Sequence, residues 1–286
     1  MASRYTHAVV CRVPSSITKS ASENANEGEL DITKAREEHE LFVATLRKLG
    51  VDVIELPQDE TLPDSCFVED TAVVINGTAL LTKPGKAERR KEVEIIRSTL
   101  KKELPELQII EIDDEKATLD GADVLFTGKE IFVGLSKHTN GNGAIAVANT
   151  FPEFPTSPVR VTGVPHLKSV MCMVAPSVLA VASSQEGKDI LHRVEGKAEF
   201  TYQVMMIPDT KAVNCIYVNG SVVHRSDIPS GNKVFESKLG ELPRCPLSLS
   251  QLEKAGGTLS SCALLINKED CCCIQQNGKL DVGEKK

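Results

Sequence analysis

Reactive side chains in this sequence gather in polar stretches, each lying just before a run of aliphatic and β-branched residues. Cys262 follows Ser260 and Ser261 and opens the run that ends at Ile266. His166 follows Pro165 in a stretch that also holds Lys168. Asp113, Asp114, Glu115, Asp120 and Asp123 crowd a second stretch, and Asp59, Glu60, Asp64, Glu69 and Asp70 a third. Asp209 and Asn214 stand in a fourth. A thiol, an imidazole and several carboxylates brought to one place form the inventory of a thiol enzyme acting on a cation.

Guanidinium is the cation that best uses this set. It is planar, always charged and a poor electrophile. Two carboxylates can grip its N–H groups and fix its plane. A thiolate can then attack the central carbon from above, and the bound cation itself lowers the thiol's proton affinity. An imidazole must protonate the departing amine and afterwards activate water. A neighbouring carboxylate orients that imidazole and supports its charged form.

Taken singly, each residue has a plainer reading. Cys262 reads as a buried structural cysteine, His166 as a solvated loop histidine, and Asp123 as a tie for its own hairpin. The first acidic stretch reads as a solvated rim; it lacks the spacing of a calcium loop. Ser261 has no hydrolase elbow around it. Arg89 and Arg90 read as surface charges on a helix, and His7, His39, His192 and His224 as structural or exposed.

The elements that would bring these stretches together repeat five times. Hairpin patterns occur at Thr71–Ile75 with Thr78–Thr82, at 124–126 with 131–135, at 173–175 with 178–182, and at 215–218 with 221–224. A fifth begins at Cys262 with a less clear return strand. Asn76-Gly77 and Asn219-Gly220 are strong hairpin signals, because both residue types tolerate positive φ. Turn residues 77, 128, 177, 220 and 267 are 51, 49, 43 and 47 apart.

Helices are predicted over 32–49, with Ala35, Leu41, Phe42 and Leu46 as the apolar stripe, over 87–104, with Val93, Ile96 and Leu100 at helical spacing, and over 142–151, 185–194 and 233–239, each leading to a single strand near 51–56, 107–112, 158–162, 202–207 or 246–249. A period near 50 residues in a chain this short favours a closed ring. The expected architecture is an α/β five-bladed pseudo-symmetric αβ propeller in a single domain over residues 1–268. Its first strand, Thr6–Val13, would close the last blade. Residues 269–286 are expected to be a flexible polar tail, with Cys271, Cys272 and Cys273 exposed on it. The polar stretches fall on one side of the ring, near its axis.

Composition is that of a globular chain. The chain has 286 residues, 41% hydrophobic and 26% charged, which excludes disordered and collagen-like classes. Its net charge of −7 repels phosphate backbones, so no nucleic acid partner is expected. No apolar run is long enough to span a bilayer, and none near the start serves as a signal-peptide core, so no membrane association and a cytoplasmic location are expected. Nine cysteines without a secretory signal imply reduced thiols.

The segments Leu62–Val74, 117–128, 131–140, 165–169 and 253–267 resemble dimethylarginine dimethylaminohydrolase, over nearly the whole chain and most of all the animal enzymes. The resemblance implies the pentein type of propeller. It implies hydrolysis of Nω,Nω-dimethyl-L-arginine and Nω-methyl-L-arginine to L-citrulline and dimethylamine or methylamine through a cysteine thiouronium. That activity would relieve inhibition of nitric oxide synthesis. Cys262 matches the nucleophile, His166 the general acid and base, and Asp120 the carboxylate beside the chemistry. Asp64 and Asp70 match the carboxylates on the guanidino nitrogens, Glu69 a substrate-loop acid, and Phe67 an aromatic wall. Arg89 matches a contact to the substrate α-carboxylate, and Ala255 and Gly256 the backbone at its α-amino end.

No cofactor is required; zinc is implied only as an inhibitor held by the Cys262 thiolate. The expected partner is a small-molecule methylated arginine, and the expected state a monomer or weak homodimer. Rival readings are an arginine deiminase-like hydrolase and a non-catalytic arginine-binding protein of the same fold. One departure stands out. Relatives carry a second carboxylate-binding Arg in a Ser-Lys-Arg-Thr stretch, which here reads Ser136-Lys137-His138-Thr139. His138 in that place predicts weaker binding of the amino-acid end and a pH-dependent KM. The segment 15–30, rich in Ser, Asn and Glu, is expected to be a lid loop.

Overall fold

A computed structural model describes residues 4–23 and 28–268. Local turn chemistry sets the first level. Asn76 (φ 46°) and Gly77 (φ 78°) make the two-residue turn between β3 (Ala72–Ile75) and β4 (Thr78–Leu81). Such positive φ values match the right-handed twist of paired strands. Asn219 and Gly220 do the same between β12 (Ile216–Val218) and β13 (Ser221–Arg225).

The other hairpins are β6 (Val124–Phe126) with β7 (Ile131–Leu135), and β9 (Met171–Ala175) with β10 (Val178–Ala182). A helix then carries the chain back so that a third strand can join in parallel, as parallel pairing requires. These helices are α3 (Arg90–Glu103), α4 (Gly141–Thr150), α5 (Gln185–Glu195) and α6 (Pro229–Lys238). They deliver β5 (Gln108–Glu111), β8 (Thr156–Arg160), β11 (Gln203–Ile207) and β14 (Arg244–Leu247).

The fifth sheet closes the ring. β15 (Leu264–Ile266) pairs antiparallel with β1 (His7–Cys11), in the register His7 to Ile266 and Val9 to Leu264. β1 also pairs in parallel with β2 (Asp52–Leu56), which follows α2 (Ile32–Lys48). The missing return strand of the last hairpin is therefore the N-terminal strand. Two asparagines pin this seam. Asn219 accepts from the Tyr5 N–H and donates to the carbonyls of Tyr5 and Leu49. Asn267 accepts from the Asn76 N–H and donates to the Asn76 side chain. The result is five three-stranded sheets with helices packed outside them, the five-bladed α/β propeller expected from the repeat.

Helix stripes drive the packing. α2 is capped by Asp31, which accepts from the Lys34 N–H, and buries Ala35, Phe42, Val43 and Leu46. Leu41, expected on that stripe, is 55% exposed instead. α3 buries Val93, Ile96 and Leu100 as its spacing predicted. One expectation needs revision. The segment 15–30 is not all loop: Ile17–Glu23 is a helix, α1, which packs on the turn Leu252–Ala255. Ile17 and Ala21 supply the apolar positions that hold it there. The expected tail 269–286, with Cys271 to Cys273, lies outside the described residues. Among the described residues no helix is long and apolar enough to cross a membrane.

Candidate active site

Each polar stretch ends in one turn of 3-10 helix before its first strand: Val68–Thr71, Gly121–Asp123, Leu167–Ser169, Thr210–Ala212 and Ser260–Cys262. The residues just before these turns are Phe67, Asp120, His166, Asp209 and Leu259. The turn ending in Cys262 packs on the turn bearing Glu69 and Asp70. That turn packs on Gly121–Asp123, which packs in turn on Leu167–Ser169. Ring symmetry thus lines up Cys262, Asp70, Asp120 and His166 along one arc. The sequence carried the hairpins but not these turns, whose three or four residues have no periodic signature.

His166 is the electrostatic centre. Its Nε2 lies 3.1 Å from Asp120 Oδ2. Burial works against its charge, but Asp120, Asp70 and Asp123 outweigh it and hold the imidazole's pKa up at about 9. Asp120 is fixed by three backbone contacts: Oδ1 accepts from the Gly85 N–H at 2.9 Å, its own N–H donates to Thr139 Oγ1, and Asp123 N–H donates to its carbonyl. The His138 ring lies over His166, with centroids 4.9 Å apart and planes 29° from parallel. His138 Nδ1 stands 3.9 Å from the same Asp120 oxygen. Burial and the neighbouring His166 charge push the His138 pKa down. The ligand atoms of Asp120, His138 and His166 lie within 4.8 Å of one another, close enough for one divalent ion; Cys262, the expected zinc ligand, is outside that group.

Cys262 is fully buried and its Sγ lies 3.3 Å from the Thr258 carbonyl. Burial pushes its pKa up to about 12, with Glu69 and Glu38 adding to the rise and Ser261 opposing it. The thiol is therefore held in its protonated form at neutral pH. Asp70 Oδ2 pairs with Arg89 Nη1 at 2.5 Å, and its Oδ1 accepts from the Ala122 N–H. Burial opposes the Asp70 charge, yet Arg89 and His166 bring its pKa below the ordinary value. Asp64 is more open: it accepts from Ser20 Oγ on α1 at 2.6 Å and stands 3.7 Å from Lys86 Nζ.

Phe67, Ala255, Gly256, Arg89 and Glu69 complete the expected set. Phe67 is a buried wall packed so tightly on Gly257 that a Cβ there would meet its Cε1 at 2.3 Å. Ala255 is buried and Gly256 is exposed, with φ 85°. Arg89 is not on the helix surface. It is buried and donates to Asp70, to Glu92 and to the Phe67 carbonyl. The Glu69 carboxylate is held between Lys168 Nζ and Ser260 Oγ, each at 2.7 Å. Glu69, Lys168 and Ser260 also line an axial cavity of about 550 Å³, which includes none of Cys262, His166 and Asp120.

Two contributors, Glu92 and Ser20, were not singled out from the sequence, and Asp123, read there as a tie for its own hairpin, does more than that. Glu92 anchors Arg89; its signal was the i, i+3 spacing on one helix. Asp123 accepts from the Leu167 N–H at 2.9 Å and from Ser136 Oγ at 2.6 Å, joining two loops of the site. Ser20 gave no signal, because α1 itself was not expected.

This arrangement has counterparts of known family. A family model described as N,N dimethylarginine dimethylhydrolase, eukaryotic, matches residues 14–208. The chain belongs to the dimethylarginine dimethylaminohydrolase family. The human relative named Putative hydrolase DDAH2 is 38% identical over 92% of this chain and 95% of its own. The N(G),N(G)-dimethylarginine dimethylaminohydrolase of Pseudomonas aeruginosa is 30% identical over 82% of this chain and 88% of its own. A solved structure of the Pseudomonas aeruginosa protein, a Cys-to-Ser mutant complexed with citrulline, matches with a TM-score of 0.78 at 28% identity. The match covers 92% of this chain and 99% of that one. The N-terminal domain of the cyanobacterial arginine dihydrolase ArgZ shares the fold, with a TM-score of 0.73 at 15% identity over 92% of this chain and 99% of that one. Membership places this chain among hydrolases with a propeller fold.

Proposed function

We propose that the protein hydrolyses Nω,Nω-dimethyl-L-arginine and Nω-methyl-L-arginine to L-citrulline and the corresponding amine, with Cys262 as nucleophile. The observation that carries this reading is the His166 imidazole 3.1 Å from Asp120, on the same arc of turns as Cys262 and with its pKa pushed up to about 9, against its burial, by the surrounding carboxylates. An imidazolium is the acid that a departing dialkylamine needs.

The guanidinium enters between Asp64 and Asp70, whose carboxylates hold its N–H groups. Its charge offsets the burial of Cys262, and the thiol releases its proton to solvent as the cation takes its place. Sulfur bonds to the central carbon, giving a tetrahedral intermediate. His166 passes a proton to the methylated nitrogen, the C–N bond breaks, and dimethylamine leaves behind a thiouronium on Cys262. His166, now neutral, takes a proton from water as the oxygen bonds to the same carbon. Collapse breaks the C–S bond, the carbinol O–H proton passes to the departing sulfur, and citrulline is released with Cys262 restored as the thiol. Phe67 offers the apolar contact that methyl groups need. Arg89 fixes the Asp70 carboxylate rather than reaching for the substrate α-carboxylate, because Asp70, Glu92 and the Phe67 carbonyl already take its donors. Consumption of methylated arginines would in turn relieve inhibition of nitric oxide synthesis.

Acid quenching during turnover, followed by peptide mass spectrometry, tests the covalent step. The expected result is the Cys262 peptide carrying the substrate less dimethylamine. An adduct on another residue, or turnover with no adduct on the time scale of a burst, would overturn it.

A further inference from the structure

His138 stands where the resemblance implies a carboxylate-binding arginine, yet the structure builds it into the acid–base pair. Its backbone is clamped from both sides. The N–H groups of His138 and Thr139 donate to Ser136 Oγ at 3.0 and 3.3 Å, and that hydroxyl donates to Asp123 Oδ2. Thr139 Oγ1 in turn accepts from the Asp120 N–H. Gly85 backs the residue so closely that a Cβ there would sit 2.7 Å from His138 Cα, while the Gly85 N–H holds Asp120. The loop that carries His138 and the carboxylate that orients His166 are therefore one hydrogen-bonded unit. On this unit the His138 ring presents its face to the His166 ring.

We propose that His138 is a positioning residue for His166: its ring is the platform on which the His166 imidazole stacks while Asp120 holds the edge. An imidazole tethered at one nitrogen can still swing about that bond. A ring stacked 4.9 Å away on a clamped loop removes the swing. Charged and titratable groups that face the pair are Asp120, Asp70, Asp123 and Lys86. His138 leans on the Asp120 oxygen at 3.9 Å, which leaves the shorter 3.1 Å contact to His166.

The claim deepens the hydrolase reading and rests on it for its kinetic arm. The test compares full-length wild type with His138→Ala and His138→Phe. Alanine removes the platform; phenylalanine keeps the face and the packing without the ring nitrogens. His138→Ala is expected to lower kcat for dimethylarginine by about tenfold to a hundredfold, the cost of roughly ångström misplacement, with KM within about threefold. His138→Phe is expected to recover most of that loss. Nitrogen-15 histidine NMR reads position without turnover. The His166 ring signals should be sharp in wild type and His138→Phe, and broadened or averaged in His138→Ala. Identical His166 signals in all three proteins, or a raised KM with unchanged kcat in His138→Ala, would overturn the proposal. Absence of product from wild type defeats the hydrolase reading alone, and the NMR comparison still decides the role of His138.

Discussion

Replacing Asp120 with Asn removes the charge that His166 leans on and leaves an amide of nearly the same shape. In the native site the imidazole's pKa is raised from 6.5 to about 9, against a burial that favours the neutral form. At about 1.4 kcal/mol per pKa unit, the favourable contacts supply a net of about 3 kcal/mol. Asp70 and Asp123 share in that sum, so the variant forfeits part of it.

The consequence depends on pH. At pH 8 a group of pKa 9 is roughly 90% protonated and one of pKa 6.5 roughly 3%, a difference of about thirtyfold in the acid form. At pH 6 both are mostly protonated. With Asp70 and Asp123 still in place, the variant-to-wild-type ratio of kcat/KM should fall about tenfold between pH 6 and pH 8. Stability must move with it. Because the folded pKa is the raised one, His166 contributes stability that is complete below pH 6.5 and lost as pH rises through about 9. Asp120→Asn should flatten that loss in urea titrations. The assay is citrulline formation from dimethylarginine across pH 6 to 9. A ratio that stays constant over that range would refute the idea that Asp120 acts through the proton affinity of His166.

Other perturbations have definite outcomes. His39 is buried with no partner on Nε2 among the described residues, and burial brings its pKa down to about 4. The unfolded chain therefore takes up the proton first, and stability should fall as pH drops from 6.5 toward 4, by up to about 3 kcal/mol. His39→Phe should remove that acid-side slope in urea titrations, and an unchanged slope would assign it elsewhere. Lys168→Met strands the Glu69 carboxylate beside Ser260, so unfolding should become easier by about 3–5 kcal/mol; a change under about 1 kcal/mol would mean that solvent reaches Glu69. Gly121→Ala should fail to fold or lose more than about 4 kcal/mol, since its Cβ would lie 1.9 Å from the Glu69 carbonyl oxygen. A folded variant of native Tm would contradict the close packing of those two turns.

The propeller was readable because its signals are local and repeat. Asn-Gly turns, aliphatic strand pairs and the stripe Val93, Ile96, Leu100 each report on a few neighbouring residues, and fivefold repetition makes them add. Ring closure was readable from the same pattern, since the fifth hairpin lacked a return strand and the chain began with one. What lay between the elements was less legible. The one-turn 3-10 helices that align Asp120, His166 and Cys262 leave no periodicity to detect. Arg89 reads as a surface charge on an amphipathic helix; its burial depends on Asp70, 19 residues earlier, and on Glu92. The stacking of His138 on His166 joins residues from different blades, and no local pattern reports such a contact. The Ser, Asn and Glu content of segment 15–30 reads as a loop, but Ile17 and Ala21 of α1 bury against the neighbouring turn and fix a helix there.

The central claim is that Cys262 and His166 together turn methylated arginine into citrulline. The direct measurement is to incubate purified protein with dimethylarginine, and in parallel with arginine, and quantify citrulline, dimethylamine and ammonia, with Cys262→Ser as control. Citrulline and dimethylamine in equal amounts, lost in the control, is the predicted result. Citrulline and ammonia from arginine alone, or no product from either substrate, would contradict it.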